Sequence, residues 1–357
     1  MKTTIVISGG CGFIGSNLAR LFLAKYPNYS IIALDNLKRR GSEVNLSQLR
    51  NAGVKFVHGD IRNRKDLDQL DSFDLFIDAA AEPSVMAGIN SSLDYLISTN
   101  LDGTINCLFK ALEQKAGFIF LSTSRVYPIA TLCNLKLTET SDRFIPTVDN
   151  RLPGLTEKGI SEDFSLVGAR SFYGATKLAS ELIVEEFHSL YGMKTIINRC
   201  GVIAGPHQMG KVDQGIVVHW MANHFWKQPL SYIGFGGQGK QVRDLLHIRD
   251  LFRLIDEQVH NLKKYDGKSF NVGGGVKGAV SLRELTELCR TTVGHRMEIG
   301  CIPETRIGDI PWFITDHSYI TSVSGWEPQI GPAEIVSDIH HWIKIEQKSL
   351  SHLLINE

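Results

Sequence analysis

Gly9-Gly10-Cys11-Gly12-Phe13-Ile14-Gly15 directly follows the apolar run Ile5-Val6-Ile7 and opens an amphipathic stretch. The glycines at positions 9, 12 and 15 lack a Cβ, which permits a tight turn, close approach of the backbone to a pyrophosphate, and close helix–strand packing. A helix that begins here presents free N–H groups and positive potential to a phosphate. This order of strand, glycine loop and helix predicts a dinucleotide-binding βα unit, the alternative being a glycine turn without a ligand.

Short apolar runs alternate with longer amphipathic stretches through the first half of the chain. Strands are predicted at residues 4–8, 31–35, 55–58, 75–79, 118–122 and 195–199. Helices are predicted at about residues 13–25, 44–51, 65–70, 95–114 and 173–191. Because the strands are apolar nearly throughout, both faces of their sheet should be covered. The pattern predicts an α/β fold, a Rossmann-like doubly wound parallel sheet whose ligand crevice lies at the carboxyl ends of the strands.

The length of 357 residues favours two units, because one domain usually has ~100–200 residues. We predict a dinucleotide-binding Rossmann domain over residues 1–200 plus about 243–272. A smaller C-terminal α/β substrate-binding domain is predicted over residues 201–242 and 273–357. Residues 128–170 show no sustained period and are interpreted as an insertion near the crevice, either a lid or a long surface loop.

Composition excludes several classes of function. Lys and Arg number 38, and Asp and Glu also number 38, so the net charge is zero and general nucleic-acid affinity is not expected. No run of ~18 apolar residues predicts a membrane span, and no secretory signal precedes the first strand. The six cysteines form no C-x-x-C pair and no cluster with metal-ligand spacing. We therefore expect a cytoplasmic enzyme with free thiols and no metal.

Asp35 lies twenty positions after Gly15, at the end of the second predicted strand. An acid at this distance accepts hydrogen bonds from the adenosine ribose hydroxyls and repels a 2′-phosphate, so we predict NAD rather than NADP. The basic run Lys38-Arg39-Arg40 would favour NADP, but we interpret it as a solvated loop or a contact to the substrate's phosphates. Asp60-Ile61, after the third strand, is predicted to lie beside the adenine, unless Asp60 is only a turn acid.

Two further patterns supply groups for hydride chemistry. Tyr173 and Lys177 are four residues apart and share a helical face. The usual tyrosine pKa is near 10, and a nearby ammonium stabilises the phenolate, although the pair could also be an exposed helix pair. Ser122-Thr123-Ser124 ends the fifth predicted strand, where a hydroxyl can hydrogen-bond a reacting alcohol or ketone, or merely cap the strand.

Together these residues resemble the extended short-chain dehydrogenase/reductase family, and more closely its nucleotide-sugar epimerases, over essentially the whole chain. The resemblance implies catalysis by Thr123, Tyr173 and Lys177. It implies NAD binding by Gly9, Gly12, Phe13, Ile14, Gly15, Asp35, Asn36, Asp60, Ile61, Ala79, Ala80, Ala81, Asn100, Tyr173 and Lys177. It implies binding of a nucleotide-diphosphate sugar by Ser84, Thr123, Arg199, Gln214, Gln241, Arg243 and Arg306, the last two on the diphosphate, because guanidinium forks match phosphate oxygens.

Within that family, Asp213-Gln214-Gly215 and Gly239-Lys240-Gln241-Val242-Arg243-Asp244 are most similar to enzymes that epimerise CDP-sugars at C2 for lipopolysaccharide O-antigen biosynthesis. Epimerisation at C4 uses the same groups and stays open. A 4,6-dehydratase needs an acid and a base to eliminate water after oxidation, and no carboxylate follows Thr123 in Ser124-Arg125. A non-catalytic NAD-binding sensor is a further alternative. By analogy, a homodimer or homotetramer would pair through the predicted helices 95–114 and 173–191.

Overall fold

The computed structural model describes residues 3–88, 92–147, 149–210 and 214–355. Its strands are β1 Thr4–Ser8, β2 Ser30–Asp35, β3 Lys55–His58, β4 Leu75–Asp78, β5 Gly117–Thr123, β6 Leu137–Glu139, β7 Phe144–Pro146, β8 Leu155–Thr156, β9 Gly159–Ile160, β10 Thr195–Cys200, β11 Val202–Ala204, β12 Leu230–Ile233, β13 Val242–His247, β14 Lys268–Val272, β15 Ala279–Ser281, β16 Ile299–Ile302 and β17 Trp312–Phe313. Its helices are α1 Phe13–Lys25, α2 Ser42–Asn51, α3 Arg64–Leu67, α4 Leu93–Ile97, α5 Gly103–Glu113, α6 Ile129–Cys133, α7 Phe172–Tyr191, α8 Ile216–Trp226, α9 Ile248–His260, α10 Leu262–Tyr265, α11 Gly275–Gly278, α12 Leu282–Val293, α13 Ser318–Ser324, α14 Pro332–Ile345 and α15 Gln347–Leu354.

Seven strands form one sheet in the order β14-β10-β5-β4-β1-β2-β3. β1 pairs in parallel with β2 on one side and with β4 on the other. The β2–β3 and β4–β5 pairs are parallel as well. The strand order therefore reverses between β1 and β4, which is the point where a doubly wound sheet leaves a crevice at its carboxyl edge. The predicted Rossmann-like sheet is confirmed.

The interior of this sheet is apolar because its strands are covered on both faces. Val6 of β1, Phe76 of β4 and Phe118 of β5 are all fully buried in one core cluster. The rings of Phe76 and Phe118 stack with their centroids 5.6 Å apart. The short hydrophobic runs of the sequence thus correspond to the central strands.

The predicted helix over residues 95–114 is the element that differs most from its prediction. It consists of α4, a π-helical turn over Ser98–Asp102, and α5. A π turn inserts one residue into the helical repeat and often occurs at functional sites. The hydrophobic periodicity predicts a single continuous helix here and does not reveal the π turn.

The contacts divide the chain into two units. The first unit comprises Met1–Thr123, Phe172–Arg199 and Phe252–Phe270. The second unit comprises Ser124–Ser171, Cys200–Leu251 and Asn271–Glu357. This division differs from the predicted domains because it assigns residues 124–171, 200, 243–251 and 271–272 to the second unit.

Residues 128–170 belong to the second unit because hydrogen bonds and an ion pair attach them to it. The backbone N–H of Ile160 donates to Ile314 O at 2.7 Å, and Asn271 Nδ2 donates to Ile160 O at 3.0 Å. Arg143 pairs with Glu284 through both Nε and Nη2. The segment contains α6 and the antiparallel pairs β6–β7 and β8–β9, so it is not a structureless surface loop.

The second unit is built around β13, which pairs with β11 and β17 in parallel and with β15 in antiparallel orientation. β12 and β16 form a separate parallel pair. A capping box starts α12, since the Ser281 hydroxyl accepts from the Glu284 backbone and the Glu284 carboxylate accepts from the Ser281 N–H. Within the described ranges, every helix is too short or too polar to cross a bilayer.

Candidate active site

The glycine loop lies at the carboxyl end of β1, in the first unit. Gly9 has a φ of +61°, and a Cβ there would lie 2.9 Å from Ala79 O. A Cβ on Gly15 would lie 2.3 Å from Gly9 O. Gly12 is the N-cap of α1 and supplies no side-chain cap, and the first N–H groups of a helix have no acceptor within the helix. The loop therefore has the tight packing and the free donors that a pyrophosphate requires.

Asp35 ends β2 beside this loop. Its Oδ2 accepts from the Cys11 N–H at 2.9 Å, and its Oδ1 accepts from the Leu37 N–H at 2.8 Å. Burial raises the pKa of Asp35, and the hydrogen bonds from Leu37 and Cys11 oppose that rise. Each carboxylate oxygen has two lone pairs, so the side chain can hold the loop and still accept from a ribose hydroxyl.

A polar group lies next to Asp35 at the ends of β2 and β3. Asn36 Nδ2 donates to Asp60 Oδ2 at 2.9 Å, and Arg62 donates to Asp60 through Nε and Nη2 at 2.9 and 2.6 Å. Burial opposes ionisation of Asp60, but the hydrogen bonds from Arg62 and Asn36 outweigh it and lower its pKa to about 2. Asp60 is therefore a fixed anion that orients Asn36.

Lys38, the first residue of the basic run, contacts an aromatic ring in this region. Its Nζ lies 3.2 Å from the centre of the Tyr95 ring, and Arg62 Cζ lies 4.8 Å from the same centre. Cations attract the negative face of an aromatic ring. Lys38 thus has a partner within the protein, which weakens the case for its recognising a 2′-phosphate.

The residues after β4 complete the crevice of the first unit. The Ser8 hydroxyl accepts from the N–H groups of Ala79 and Ala80, both at 3.1 Å. Asn100, fully buried in the π turn, accepts from the Glu82 N–H at 2.8 Å through Oδ1. The first unit also contains four other predicted cofactor residues: Phe13, Ile14, Ile61 and Ala81.

The candidate catalytic residues lie on two elements of the first unit. Thr123 is the last residue of β5 and is 8% exposed. Tyr173 and Lys177 lie in the first two turns of α7. Lys177 is 1% exposed, and its Nζ lies 3.8 Å from the centre of the Phe120 ring on β5. The lysine is therefore held over the strand that ends in Thr123.

Arg199 pairs with Glu181 of α7 inside the first unit. Its Nε donates to Glu181 Oε2 at 3.0 Å, and its Nη2 donates to the same oxygen at 2.8 Å. The Ser122 hydroxyl donates to Glu181 Oε1 at 2.5 Å. The side chains of Arg199 and Glu181 are only 7% and 1% exposed. The predicted substrate contact of Arg199 stays a prediction, and the charge of this guanidinium already has a partner.

Arg243, on β13 of the second unit, is also bound within the protein. Its Nη2 donates to Asp309 Oδ1 at 2.9 Å and to Ile310 O at 2.7 Å, and its Nη1 donates to Val242 O at 2.7 Å. Burial lowers the pKa of Arg243 to about 10, Asp309 opposes that change, and Arg125 adds to it. Arg125 itself donates to Gly308 O at 3.1 Å. Two guanidinium groups are thus attached to residues 308–310.

Arg306 differs from Arg243 because its side chain forms no hydrogen bond or ion pair with the residues that the structure describes; only its carbonyl accepts, from the Asp309 N–H at 3.2 Å. Gln241 Nε2 donates to Ile233 O at 3.2 Å. Gln214 directly precedes the N-cap residue of α8. Both glutamines lie in the second unit, whereas Ser84 lies in the first, and Asp213 lies outside the described residues.

Three residues that sequence reasoning did not assign interact with predicted site residues. Phe120 contacts Lys177, Glu181 pairs with Arg199, and Arg125 lies beside Arg243. A signal for Glu181 exists in the sequence, since it lies four residues after Lys177 and hence on the same helical face. Phe120 and Arg125 have no such signal, because only the folded chain brings them to their partners.

The profile of the NAD dependent epimerase/dehydratase family matches residues 5–273, which is most of the chain. The chain belongs to this family. Membership of the NAD dependent epimerase/dehydratase family confirms the predicted enzyme and its predicted cofactor, NAD. The glycine loop fits this cofactor, because side chains at Gly9 and Gly15 would clash with backbone where the dinucleotide phosphates need room.

Relatives with known activities cover nearly the whole chain. CDP-paratose 2-epimerase of Salmonella typhi is 32% identical over 352 residues, which cover 95% of this chain and 98% of that protein. UDP-glucose 4-epimerase of Halalkalibacterium halodurans is 29% identical and covers 95% of this chain and 94% of its own. The structure of the dTDP-glucose 4,6-dehydratase DesIV from Streptomyces venezuelae, with NAD bound, is 25% identical with a TM-score of 0.79, covering 98% of this chain and 100% of that one. Epimerases and dehydratases are thus both similar to this chain.

Proposed function

We propose that this enzyme epimerises a nucleotide-diphosphate sugar at C2 through a transient keto sugar, with a CDP-sugar as substrate. The observation that carries the proposal is the arrangement of Thr123, Tyr173 and Lys177 on β5 and α7, two elements joined by the contacts of Lys177 and Glu181. The choice of C2 and of cytidine is supported by the 32% identity to CDP-paratose 2-epimerase. The same similarity supports a place in lipopolysaccharide O-antigen biosynthesis.

In this proposal Tyr173, as phenolate, accepts the proton of the C2 hydroxyl while the C2–O bond becomes a ketone. Lys177 stabilises the phenolate as a neighbouring cation. Thr123 donates a hydrogen bond to the reacting oxygen and holds it near Tyr173. NAD, when bound, supplies the hydride acceptor and then the hydride donor, so the net reaction consumes no cofactor. Tyr173 finally returns its proton to the oxygen after the other face of the ketone has been reduced.

Dehydration is disfavoured because neither residue after Thr123 is a carboxylate and because Glu181 is already bound. A 4,6-dehydratase oxidises C4 and then eliminates the C6 hydroxyl and the C5 proton as water, which requires an acid and a base besides the hydride chemistry. Thr123 is followed by Ser124 and Arg125, which are not carboxylates. Glu181, a carboxylate that contacts Ser122 at this strand end, has both of its oxygens bound, by Ser122 and by Arg199. It is therefore not available to transfer a proton to the substrate.

Epimerisation at C4 is the second candidate, because a UDP-glucose 4-epimerase is 29% identical over a similar length. The same tyrosine, lysine and threonine would serve it. The two reactions differ only in which sugar carbon the bound substrate presents to them.

The proposal is tested by incubating the enzyme with CDP-, UDP-, GDP- and dTDP-sugars in D₂O and following the sugar protons by NMR. Inversion at C2 of a CDP-sugar without net reduction of NAD is expected. Inversion at C4 would establish the second candidate, and a 4-keto-6-deoxy product would establish a dehydratase. Failure to convert any nucleotide sugar would favour the NAD-binding sensor.

The second unit is proposed to bind the nucleotide diphosphate through Arg243 and Arg306. Arg306 has no side-chain partner in the described residues, so its five N–H donors are available to phosphate oxygens. Arg243 has a carboxylate and two carbonyls as partners, and it contributes positive charge from a fixed position. A guanidinium fork matches two phosphate oxygens, which an ammonium cannot do.

A homodimer or homotetramer is also proposed, through α7 and the helices of residues 93–113. Ala175, Leu178, Ala179 and Leu182 follow an i, i+3, i+4, i+7 pattern, and none of them is buried. Leu182 is 55% exposed. Light scattering should show an oligomer that Leu182→Glu dissociates, and a monomeric wild type would refute the proposal.

A further inference from the structure

Glu181 joins three elements of the first unit at one buried point. It lies on α7, one turn after Lys177, and accepts from Ser122 of β5 and from Arg199 of β10. β5 and β10 are neighbours in the seven-stranded sheet. The carboxylate therefore fixes the helix that carries Tyr173 and Lys177 against the strand that carries Thr123.

Both oxygens of Glu181 are used in this arrangement. Oε1 accepts from Ser122 Oγ at 2.5 Å and from Arg199 Nε at 3.2 Å, and Oε2 accepts from Arg199 Nε and Nη2 at 3.0 and 2.8 Å. Burying two charges is costly, so such a pair adds little net stability compared with apolar side chains of similar size. We infer that this pair acts on geometry instead, because its directional hydrogen bonds favour one arrangement of the elements that it joins.

A second contact on the same helical face supports this reading. Lys177 and Glu181 are four residues apart and face β5, where their partners Phe120 and Ser122 are two residues apart. Residues i and i+2 of a strand point to the same side. Helix and strand thus meet at two neighbouring points, one through the ammonium and one through the carboxylate.

We propose that Glu181 is a positioning residue that sets the distance between the Thr123 hydroxyl and the Tyr173–Lys177 pair by acting through Ser122. The proposal rests on the proposed catalytic roles of Thr123, Tyr173 and Lys177. Ser122 is bonded to Thr123 in the chain, so a shift of the strand end moves the threonine hydroxyl directly. Since a misplacement of ~1 Å can reduce turnover ~100-fold, loss of the Ser122–Glu181 bond should lower kcat and leave KM nearly unchanged.

Ser122→Ala is the main test, because it removes the hydroxyl and retains the Glu181–Arg199 pair. We expect kcat to fall about tenfold with KM within about threefold of wild type, and Ser122→Thr to restore most of kcat. Gln258→Met is the matched control: Gln258 is fully buried and hydrogen-bonds to Asn198, the neighbour of Arg199 on β10, and among the described residues its side chain forms no hydrogen bond to α7. It should lower stability by about 1–3 kcal/mol and leave kcat unchanged. Equal kcat values for Ser122→Ala and wild type would overturn the proposal.

Glu181→Gln and Arg199→Met test the other half of the cluster. Each single variant leaves one buried charge without its partner, so each should have a clearly lower kcat than wild type. Adding the second substitution, in Glu181→Gln/Arg199→Met, should then lower kcat by a smaller factor than either substitution does alone. If the fall in kcat of the double variant equals the product of the two single falls, Glu181 and Arg199 do not share a role.

Amide hydrogen exchange on the NAD-bound protein supplies a readout that needs no substrate. Ser122→Ala should increase exchange at residues 121–127 and 172–177, whereas Gln258→Met should not. Unchanged exchange at both segments would refute the positioning role even if no nucleotide sugar were converted. If only the proposed function is wrong, wild type will convert no nucleotide sugar, but Ser122→Ala will still show increased exchange at these two segments.

Discussion

Removing the guanidinium of Arg243 and removing that of Arg306 should have different consequences, although the family resemblance assigns both to the diphosphate. Arg243 donates to the Asp309 carboxylate and to the carbonyls of Val242 and Ile310 at 2.7–2.9 Å. Arg306 has no side-chain partner among the described residues. The first variant should therefore lose stability and nucleotide affinity together, and the second should lose affinity alone.

The magnitudes follow from these contacts. Hydrogen bonds to charged groups contribute about 1.5–3 kcal/mol each, but Asp309 is 27% exposed and can be rehydrated. We expect Arg243→Ala to cost about 2–3 kcal/mol of unfolding free energy, which is a fall in Tm of roughly 3–4 °C for a chain of 357 residues. Arg306→Ala should change the free energy of unfolding by less than about 0.5 kcal/mol. It should weaken binding of a nucleoside diphosphate about 10- to 100-fold.

Thermal unfolding and calorimetric titration with CDP and with NAD measure both quantities on the same samples. NAD affinity should stay near that of wild type in both variants, because the glycine loop and Asp35 carry it. Arg306→Lys should restore only part of the CDP affinity, since a point charge does not form a bidentate contact. The reasoning fails if Arg306→Ala binds CDP as wild type does, or if it lowers Tm as much as Arg243→Ala.

Three other predictions concern the cofactor, the base and pH. NAD should bind more tightly than NADP, and Asp35→Asn should reduce that preference in calorimetry, since it removes the negative charge that repels a 2′-phosphate; equal affinities in the wild type would refute the assignment of Asp35. Tyr173→Phe should retain NAD binding and lose turnover by orders of magnitude, whereas Lys177→Met should lose both, and near-normal turnover of Tyr173→Phe would exclude it as the base. Burial, aided by Arg249 and opposed by Asp338, lowers the pKa of His247 to about 4. Because the usual histidine pKa is near 6.5, the unfolded chain binds more protons between about pH 6.5 and pH 4, so stability should fall as pH decreases through this window. In urea unfolding, the free energy of unfolding should decrease less from pH 7 to pH 4.5 in His247→Asn than in wild type. Equal decreases in the two proteins would show that another group is responsible.

The sequence alone determined the first βα unit and its surroundings. The glycine spacing and the apolar run before it predict β1 and α1, and α1 begins and ends at the predicted residues 13 and 25. These features depend on local properties: a Cβ either fits a tight turn or does not, and hydrophobic periodicity follows from the backbone of a single helix or strand. The position of Asp35 after Gly15 is likewise a matter of chain length within one βα unit.

Only the tertiary structure decided which charged side chains are free and which are already bound. Arg199, Arg243 and Arg306 look alike in the sequence, but the first is paired with Glu181, the second is bound to residues 309 and 310, and the third has no side-chain partner in the described ranges. The partners are 18 to 67 residues away in the chain, at distances set by the packing of separate elements. The Asn100–Glu82 hydrogen bond and the attachment of residues 128–170 to the second unit likewise join segments that no local pattern brings together.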